Sequence, residues 1–485
     1  MNSQAIYFTG AALTIAAMCL VKNKVFSHLL FLPFTGLQVY FCLHASRHLN
    51  VVQDAYFKVD EVGLIFLIVT TILLIPTVLH SYIYAQCRQE SGRSVAYHNA
   101  ALVGLFTTMT GVLVSANLGM MWGFLEATTL CATVLIYFKR DAEALEAAWK
   151  YVFVCSIGIA IAFIGILFLG IAAQDAKVLN FNMDELVATA GAMNPLWLKL
   201  SFILIVTGFS VKMGVMPLFN VDIDAKDAAP SPIGAILSGG LLNVGFVAIF
   251  RFYEIFATTA ILAWMNTFLL ITGLLSILFA AAYMQKVKNF KRLLAYSSLE
   301  HAGIVLLALA SGGIGYVAMI LHLILHSFVK ASLFYQIGQV YRVFASKRVE
   351  QTGNYFKINP WGGLVLLLGF FCMTAMPPSG LFISEFYTFK ALIAQGSWAV
   401  AITALGLLSF IVFALGRNFL HLLFTPLPDF GSRVYPRINP LESLTQWVLI
   451  LAVLYVGIHP PAALTDFIRL AVQHLPNQTL ASTKP

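Results

Sequence analysis

Charge is scarce in this sequence. Among 485 residues there are only 29 Lys and Arg and 21 Asp and Glu, so 10% of the chain is charged against 60% hydrophobic, and mean hydropathy reaches +0.85. Soluble globular domains carry about a quarter charged residues, and that class is excluded. Cysteine is scarce as well: Cys19, Cys42, Cys87, Cys131, Cys155 and Cys372 stand singly, mostly inside apolar runs, without CxxC or Cys/His ligand spacing. This leaves no pattern for an iron–sulfur, zinc or haem site. A G-x-G-x-x-G turn after a strand, a P-loop and a G-x-S-x-G elbow are also missing, so no catalytic residue, cofactor or metal is expected in the chain itself.

Long apolar runs are what is present. A helix needs roughly 20 apolar residues to cross a hydrocarbon core, and such runs recur from end to end. Stretches such as GLIFLIVTTILLIPTVL (63–79) are apolar on every face, which fits helices and not the alternating segments of a barrel. The reading is an all-α polytopic membrane protein with about fourteen spans: 5–22, 25–43, 61–85, 98–115, 116–138, 148–173, 197–219, 231–250, 257–284, 292–311, 313–340, 360–395 (interrupted), 398–424 and 441–458. The opening MNSQAIYF has no basic stretch and no small-residue cleavage site after its apolar run, so the first span is expected to be retained. No separate soluble domain is expected.

The basic residues follow alternate connections. Lys22 and Lys24, Arg88 and Arg93, Lys139, Arg140 and Lys150, Lys286, Lys288, Lys291 and Arg292, and Arg342, Lys347, Arg348 and Lys357 all follow odd-numbered spans. They predict a cytoplasmic face there, with both termini on the outer side of the membrane. The other connections are short or acidic, as in QDAKVLNFNMDE (174–185). The net charge of +8 is thus topogenic. Nucleic acid is not expected as a partner, because the basic residues are spread over several connections and gather on no single face.

Ionisable residues inside spans carry the functional signal, since a charge at bilayer depth costs a few kcal/mol and is usually paired or set along an ion path. Glu126 lies in MMWGFLEATTLC and Lys212 in GFSVKMGVMPLF. His322, His326 and Lys330 recur every four residues in LHLILHSFVKAS, so they share one helix face and rise about 6 Å per step. Glu300 and His301 open the tenth span, and Glu385 follows in PPSGLFISEF. Acids alternating with bases that burial can neutralise are what a proton relay needs. A lone buried histidine is equally open to a packing role, and a lone lysine near a span end to an interfacial one.

Two breaks add an independent argument. Gly214 and Pro217 interrupt one apolar run, and Pro377, Pro378 and Gly380 interrupt another about five spans later, each beside an ionisable residue. Discontinuous helices in corresponding halves point to an internally repeated transporter, and the freed carbonyls and half-helix dipoles can stabilise a moving charge. An ordinary proline kink is the alternative for either break alone.

Taken in order, these motifs resemble a known family. The order is an E in span five, K-x-x-x-x-P in span seven, D-A-K-D-A-A-P-S-P before span eight, K-R-L-L-A-Y-S-S-L-E-H before span ten, H-x-x-x-H-x-x-x-K in span eleven and P-P-x-G-x-F-x-S-E in span twelve. It is similar to the antiporter-like subunits of complex I, Mrp-type cation antiporters and membrane-bound hydrogenases, over roughly residues 60–425. S-S-L-E-H and P-P-S-G-L-F-I-S-E-F are most similar to the F component of hydrogenase-4-type complexes. The resemblance implies two inverted five-helix repeats and two broken helices, with N-terminal helices over 1–97, repeats over 98–250 and 251–425, and a C-terminal helix and tail over 426–485. It also implies proton translocation: Glu126 pairs with and tunes Lys212, His322, His326 and Lys330 form the central relay, and Glu385 is the terminal acid. Implied partners are other membrane subunits, peripheral hydrogenase-like subunits, protons or sodium ions, and the bilayer of a cell inner membrane.

Two departures stand out. The family's W-L-P-D-A-H is V-D-I-D-A-K here, with Val221, Asp222 and Ile223 in place of the Trp-Leu-Pro turn. Asn243 stands in ILSGGLLNVGF where many proton-pumping relatives have a lysine. Three readings therefore stay open: a proton-translocating subunit of a membrane hydrogenase or related complex, a cation/proton antiporter without a redox partner, and a non-conducting membrane anchor.

Overall fold

The computed structural model describes residues 3–52, 56–175, 181–427, 435–436 and 438–476. Positions 176–180 of the acidic connection and 477–485 of the C-terminal tail lie outside the described residues. Among the described residues there are helices and no strand, only three isolated bridges between connections.

The chain divides into two compact units. The first runs to residue 233 and takes in 240–265 and 474–476. It holds α1 (Ser3–Leu20), α2 (Lys24–Leu29), α3 (Phe31–Arg47), α4 (Glu61–Cys87), α5 (Gly92–Leu113), α6 (Leu118–Ile136), α7 (Ala142–Asp175), α8 (Met183–Thr189), α9 (Pro195–Met213) and α10 (Asn220–Ala228). After α11 (Ser231–Ile236), whose last residues belong to the second unit, the chain returns to the first with α12 (Leu242–Phe256). The second unit holds residues 234–239, α13 (Leu262–Met284) from Asn266 onward, α14 (Phe290–Ser311), α15 (Ile314–Phe344), α16 (Tyr355–Ile358), α17 (Pro360–Met373), α18 (Gly380–Ala394), α19 (Trp398–Phe424), α20 (Leu444–Ile458) and α21 (Ala462–Val472).

Among the described residues, twelve helical segments are long and apolar enough to cross a membrane, fewer than the fourteen spans expected. The other two expected spans correspond to α5, whose start GRSVAYHNA is too polar, and to α17 with α18, each too short because a break separates them. Polar caps fix where the helices begin. Asp60 accepts from the Gly63 amide at 2.9 Å, Asn117 from Gly119 at 2.9 Å, Asn194 from Leu196 at 2.9 Å ahead of Pro195, and Asn289 from Lys291 at 3.0 Å. Amides left bare near hydrocarbon would cost several kcal/mol each, so such caps matter more here than in water.

Burial is uneven and informative. Segments 231–256, 290–311 and 314–344 are buried along almost their whole length, whereas α19 and α20 expose apolar faces. A helix buried all round is shielded from lipid, and three such segments carry Asn243, Glu300, His301, His322, His326 and Lys330. One close approach positions the first cluster of ionisable groups. Gly245 of α12 lies against the backbone of α9, where a Cβ would stand 2.5 Å from the Met213 nitrogen and 2.6 Å from the Lys212 carbonyl carbon. Small residues allow such backbone contact between membrane helices.

Ion pairs gather where α4 begins and α12 ends. Arg251 holds both oxygens of Asp60 and reaches Glu254 at 3.2 Å. Glu254 in turn bonds His474 at 2.8 Å, and Lys58 pairs with Asp184 at 2.9 Å around a cavity of about 310 Å³. The hydrogen bond to Glu254 raises the pKa of His474 above its ordinary value, against the opposing effect of burial. This contact therefore stabilises the fold below the usual histidine pKa and is lost as pH rises through the raised one. In a nuclear magnetic resonance titration, His474 should titrate above a free histidine and Glu254→Gln should bring it back down. A titration that Glu254→Gln leaves unmoved would contradict the contact.

Candidate functional site

In the first unit the centre is Lys212, at the end of α9 and only 2% exposed. Its ammonium donates to the hydroxyls of Thr128 at 3.0 Å and Thr129 at 2.6 Å, both on α6, and lies 5.4 Å from the centre of the Tyr151 ring on α7. Glu126, less than a turn before Thr128, is half-buried and accepts from Ser156 of α7 at 2.7 Å. No ion pair joins Glu126 and Lys212. They interact through space, as do Asp222 and Lys212.

The first break lies immediately beyond Lys212. Gly214 caps α9 with φ +73°, in the left-handed region, its amide donating to Ser210 at 2.8 Å. Met216–Pro217 is a cis peptide, and the Ser210 hydroxyl accepts from the Leu218 amide at 3.3 Å. The chain then re-forms as α10. The stretch V-D-I-D-A-K, whose path the sequence left undefined, is helical, so Asp222 and Lys226 fall four residues apart and pair at 2.5 Å with Lys226 fully buried. Asp222 also reaches back: its Oδ2 stands 2.6 Å from where a Cβ on residue 214 would be. Glycine is thus required at 214 by the backbone and by the neighbour alike.

In the second unit α14 and α15 run side by side in opposite directions, which sets two rows of polar groups against each other. Lys330 donates to the Leu294 carbonyl at 2.9 Å and to the Ser297 hydroxyl, with the Met373 sulfur at 3.5 Å. One turn on, His301 lies between His326 and His322, with ring centres 5.0 Å from each. Its Nδ1 is 3.0 Å from Nε2 of His322, whose Nδ1 is 3.0 Å from the Ser384 hydroxyl. Both ring nitrogens of His322 are therefore engaged, the arrangement in which an imidazole passes a proton from one side to the other. Glu300 lies 3.9 Å from the far nitrogen of His301. Glu385, half-buried in the first turns of α18, brings a carboxylate oxygen within 4.8 Å of ring nitrogens of His301 and His322. These three groups offer a ligand set that a cation would fit, a grouping the singly spaced cysteines gave no reason to expect. The second break is Thr374–Ser379, with a cis Pro377–Pro378 bond, and Ser379 caps α18 by accepting from Phe382 at 3.3 Å.

Several expectations shift. Glu300 and His301 do not open their span: α14 starts at Phe290 under the Asn289 cap, so they sit at mid-helix. Asn243 is buried on α12 just after a π turn at Leu237–Leu241, an irregularity common at functional sites. The Gly239 carbonyl in that turn accepts from Ser327 at 2.7 Å. Thr128, Thr129, Ser297, Ser384 and Lys226 were not singled out in the sequence, and Asp222 was named only as a departure from the family's turn. Only the Asp222/Lys226 spacing offered a signal; the hydroxyls are ordinary residues of apolar helices.

Buried polar clusters beside two discontinuous helices define a transporter-like polytopic membrane protein. Residues 115–411 match the family model described as NADH:quinone oxidoreductase/Mrp antiporter, TM. The chain belongs to that family, as one of its antiporter-like membrane subunits. It is 32% identical over 377 residues to the hydrogenase-4 component F homolog of Methylacidiphilum infernorum (isolate V4), covering 76% of this chain and 78% of that one. Its fold is similar to a chain of the membrane-bound sulfane sulfur reductase, an archaeal respiratory membrane complex, with TM-score 0.85, 20% identity and coverage of 97% and 96%. It is also similar to a chain of the Mrp complex from Dietzia sp. DQ12-45-1b, with TM-score 0.81, 18% identity and coverage of 99% of each. The relatives are subunits of multi-subunit membrane complexes.

The geometry of the first break makes one position testable. An alanine at 214 would have to adopt the left-handed backbone, at about 1–2 kcal/mol, and push Asp222 aside. Gly214→Ala should lower the apparent Tm of the purified protein and reduce folded yield. An unchanged melting curve would mean that the turn relaxes without cost.

Proposed function

We propose that the chain translocates protons across a cell inner membrane as a subunit of a hydrogenase-4-type or complex I-related oxidoreductase complex, whose electron transfer takes place in partner subunits. The observation that carries this reading is the company of the two lysines. Lys212 is held by threonine hydroxyls and Lys330 by a serine hydroxyl and a carbonyl. A hydroxyl accepts from an ammonium and can turn to donate to the neutral amine, so these sites serve both protonation states. Permanent pairing with a carboxylate would instead lock the charge in place.

In this reading Glu126 and Asp222 bias Lys212 from a distance, and Lys330, Glu300, His301, His326, His322 and Glu385 form the second relay. The cargo is a proton, because the amines of Lys212 and Lys330 load protons and, once charged, repel sodium. The segments 98–250 and 251–425 act as inverted repeats, each with one helix broken at a proline. The basic connections face the cytoplasm and both termini lie outside. Peripheral hydrogenase-like subunits are the proposed partners on the cytoplasmic side. A cation/proton antiporter is the second reading, supported by the likeness to a chain of an Mrp complex.

Asn243 is the severest test, because an amide hydrogen-bonds water but never carries the charge. Water persists in a cavity only where several polar groups hold it. The complex containing this chain, reconstituted in vesicles and driven by its electron donor, should move protons. Asn243→Leu should stop that movement, while Asn243→Lys should be tolerated. If the vesicles carry sodium and no protons, the second reading replaces the first. Proton flux unchanged in Asn243→Leu would show that no protons pass this residue.

A further inference from the structure

The proton reading leaves one cavity of the first unit unused. It measures about 960 Å³ and lies among the ends of α1 and α6 and the starts of α5 and α7. Its walls are apolar, with Ile15, Leu130, Val134, Leu145 and Val152 among them. Leu130, Val134 and Leu145 are exposed, and so are Tyr97, Tyr137 and Trp149, together with Arg140. Tyrosine and tryptophan concentrate where hydrocarbon meets headgroups, so this is a groove that opens at the membrane interface.

Two further observations point to a ligand. Ser94 and His98 line the cavity, and Ser94 Oγ and His98 Nδ1, each enclosed by protein, have no hydrogen-bond partner among the described residues; the two residues are only 5% and 3% exposed. They are four residues apart on α5 and so face the same way. Basic groups also crowd this end. Arg93 donates to the Tyr97 hydroxyl at 3.0 and 3.1 Å, Lys139 adjoins Arg140, and the Lys22 backbone packs against Gly92 at the start of α5. In the proposed orientation all of them lie on the cytoplasmic side, whose leaflet attracts anionic headgroups.

We propose that this groove binds an anionic phospholipid, with its phosphate at Arg140, its glycerol and ester oxygens at Ser94 and His98, and its acyl chains along the apolar wall. The chemistry selects this occupant. A packed helix from a neighbouring subunit would satisfy the apolar wall and leave Ser94 and His98 bare, and a water-soluble metabolite would leave the apolar wall wet.

The test is native mass spectrometry of the full chain released from nanodiscs containing equal amounts of phosphatidylglycerol and phosphatidylcholine. The wild type should retain a phosphatidylglycerol molecule several-fold more often than phosphatidylcholine. Arg140→Gln, at an exposed position, should abolish that preference, and Ala101→Trp, which fills the groove, should lose the bound lipid. Equal retention of the two lipids by the wild type would overturn the proposal, as would an unchanged preference in Arg140→Gln. So would a cross-link, in the assembled complex, from Trp149→Cys to a neighbouring subunit that displaces the lipid. If Ala101→Trp does not fold, the Arg140→Gln comparison decides alone.

Discussion

A lysine held in the interior of a membrane protein must be surrounded by polar groups, and most features of this chain answer that constraint. A bare charge at the middle of a spanning helix costs about 2.5–3.5 kcal/mol on insertion scales. Here Lys212 and Lys330 are shielded from lipid and solvated by protein hydroxyls and, for Lys330, a carbonyl. The helices that bear the second lysine and its histidines are correspondingly buried along nearly all their length, while apolar faces of α19 and α20 are left outward.

The same constraint explains why the breaks stand where they do. An unbroken helix offers its carbonyls only to itself. At Gly214 the ladder ends two residues past the lysine, the chain doubles into α10, and Asp222 comes back against residue 214. After Met373 the ladder ends again, and Ser379 restarts it so that Ser384 and Glu385 arrive beside His322 and His301. Each break turns local backbone geometry into a means of bringing a second polar group to a first.

Much of this was legible in the sequence because it is local. Apolar runs, the Gly/Pro interruptions and the four-residue spacing of His322, His326 and Lys330 are written within single segments. What was not legible is which side chain meets which. Glu126 and Lys212 looked like a pair, yet Thr128 and Thr129 take the ammonium and Ser156 takes the carboxylate. A hydroxyl in an apolar helix gives no sign of its partner until the helices are packed. The Arg251–Asp60 pair joins residues 191 apart, a contact no periodicity announces. Glu300 and His301 were placed too near a helix end because the polar run before them reads as a connection, whereas the Asn289 cap carries the helix through it.

The central claim is that Lys212 gains and loses a proton in a neutral hydroxyl setting while Glu126 acts on it through space. Proton movement by the reconstituted complex, measured for Lys212→Met beside Glu126→Gln, tests this most directly. An apolar side chain is no burden at that depth, so Lys212→Met should assemble in normal amount and move no protons, and Glu126→Gln should be strongly impaired. Full proton movement in Lys212→Met would contradict the account.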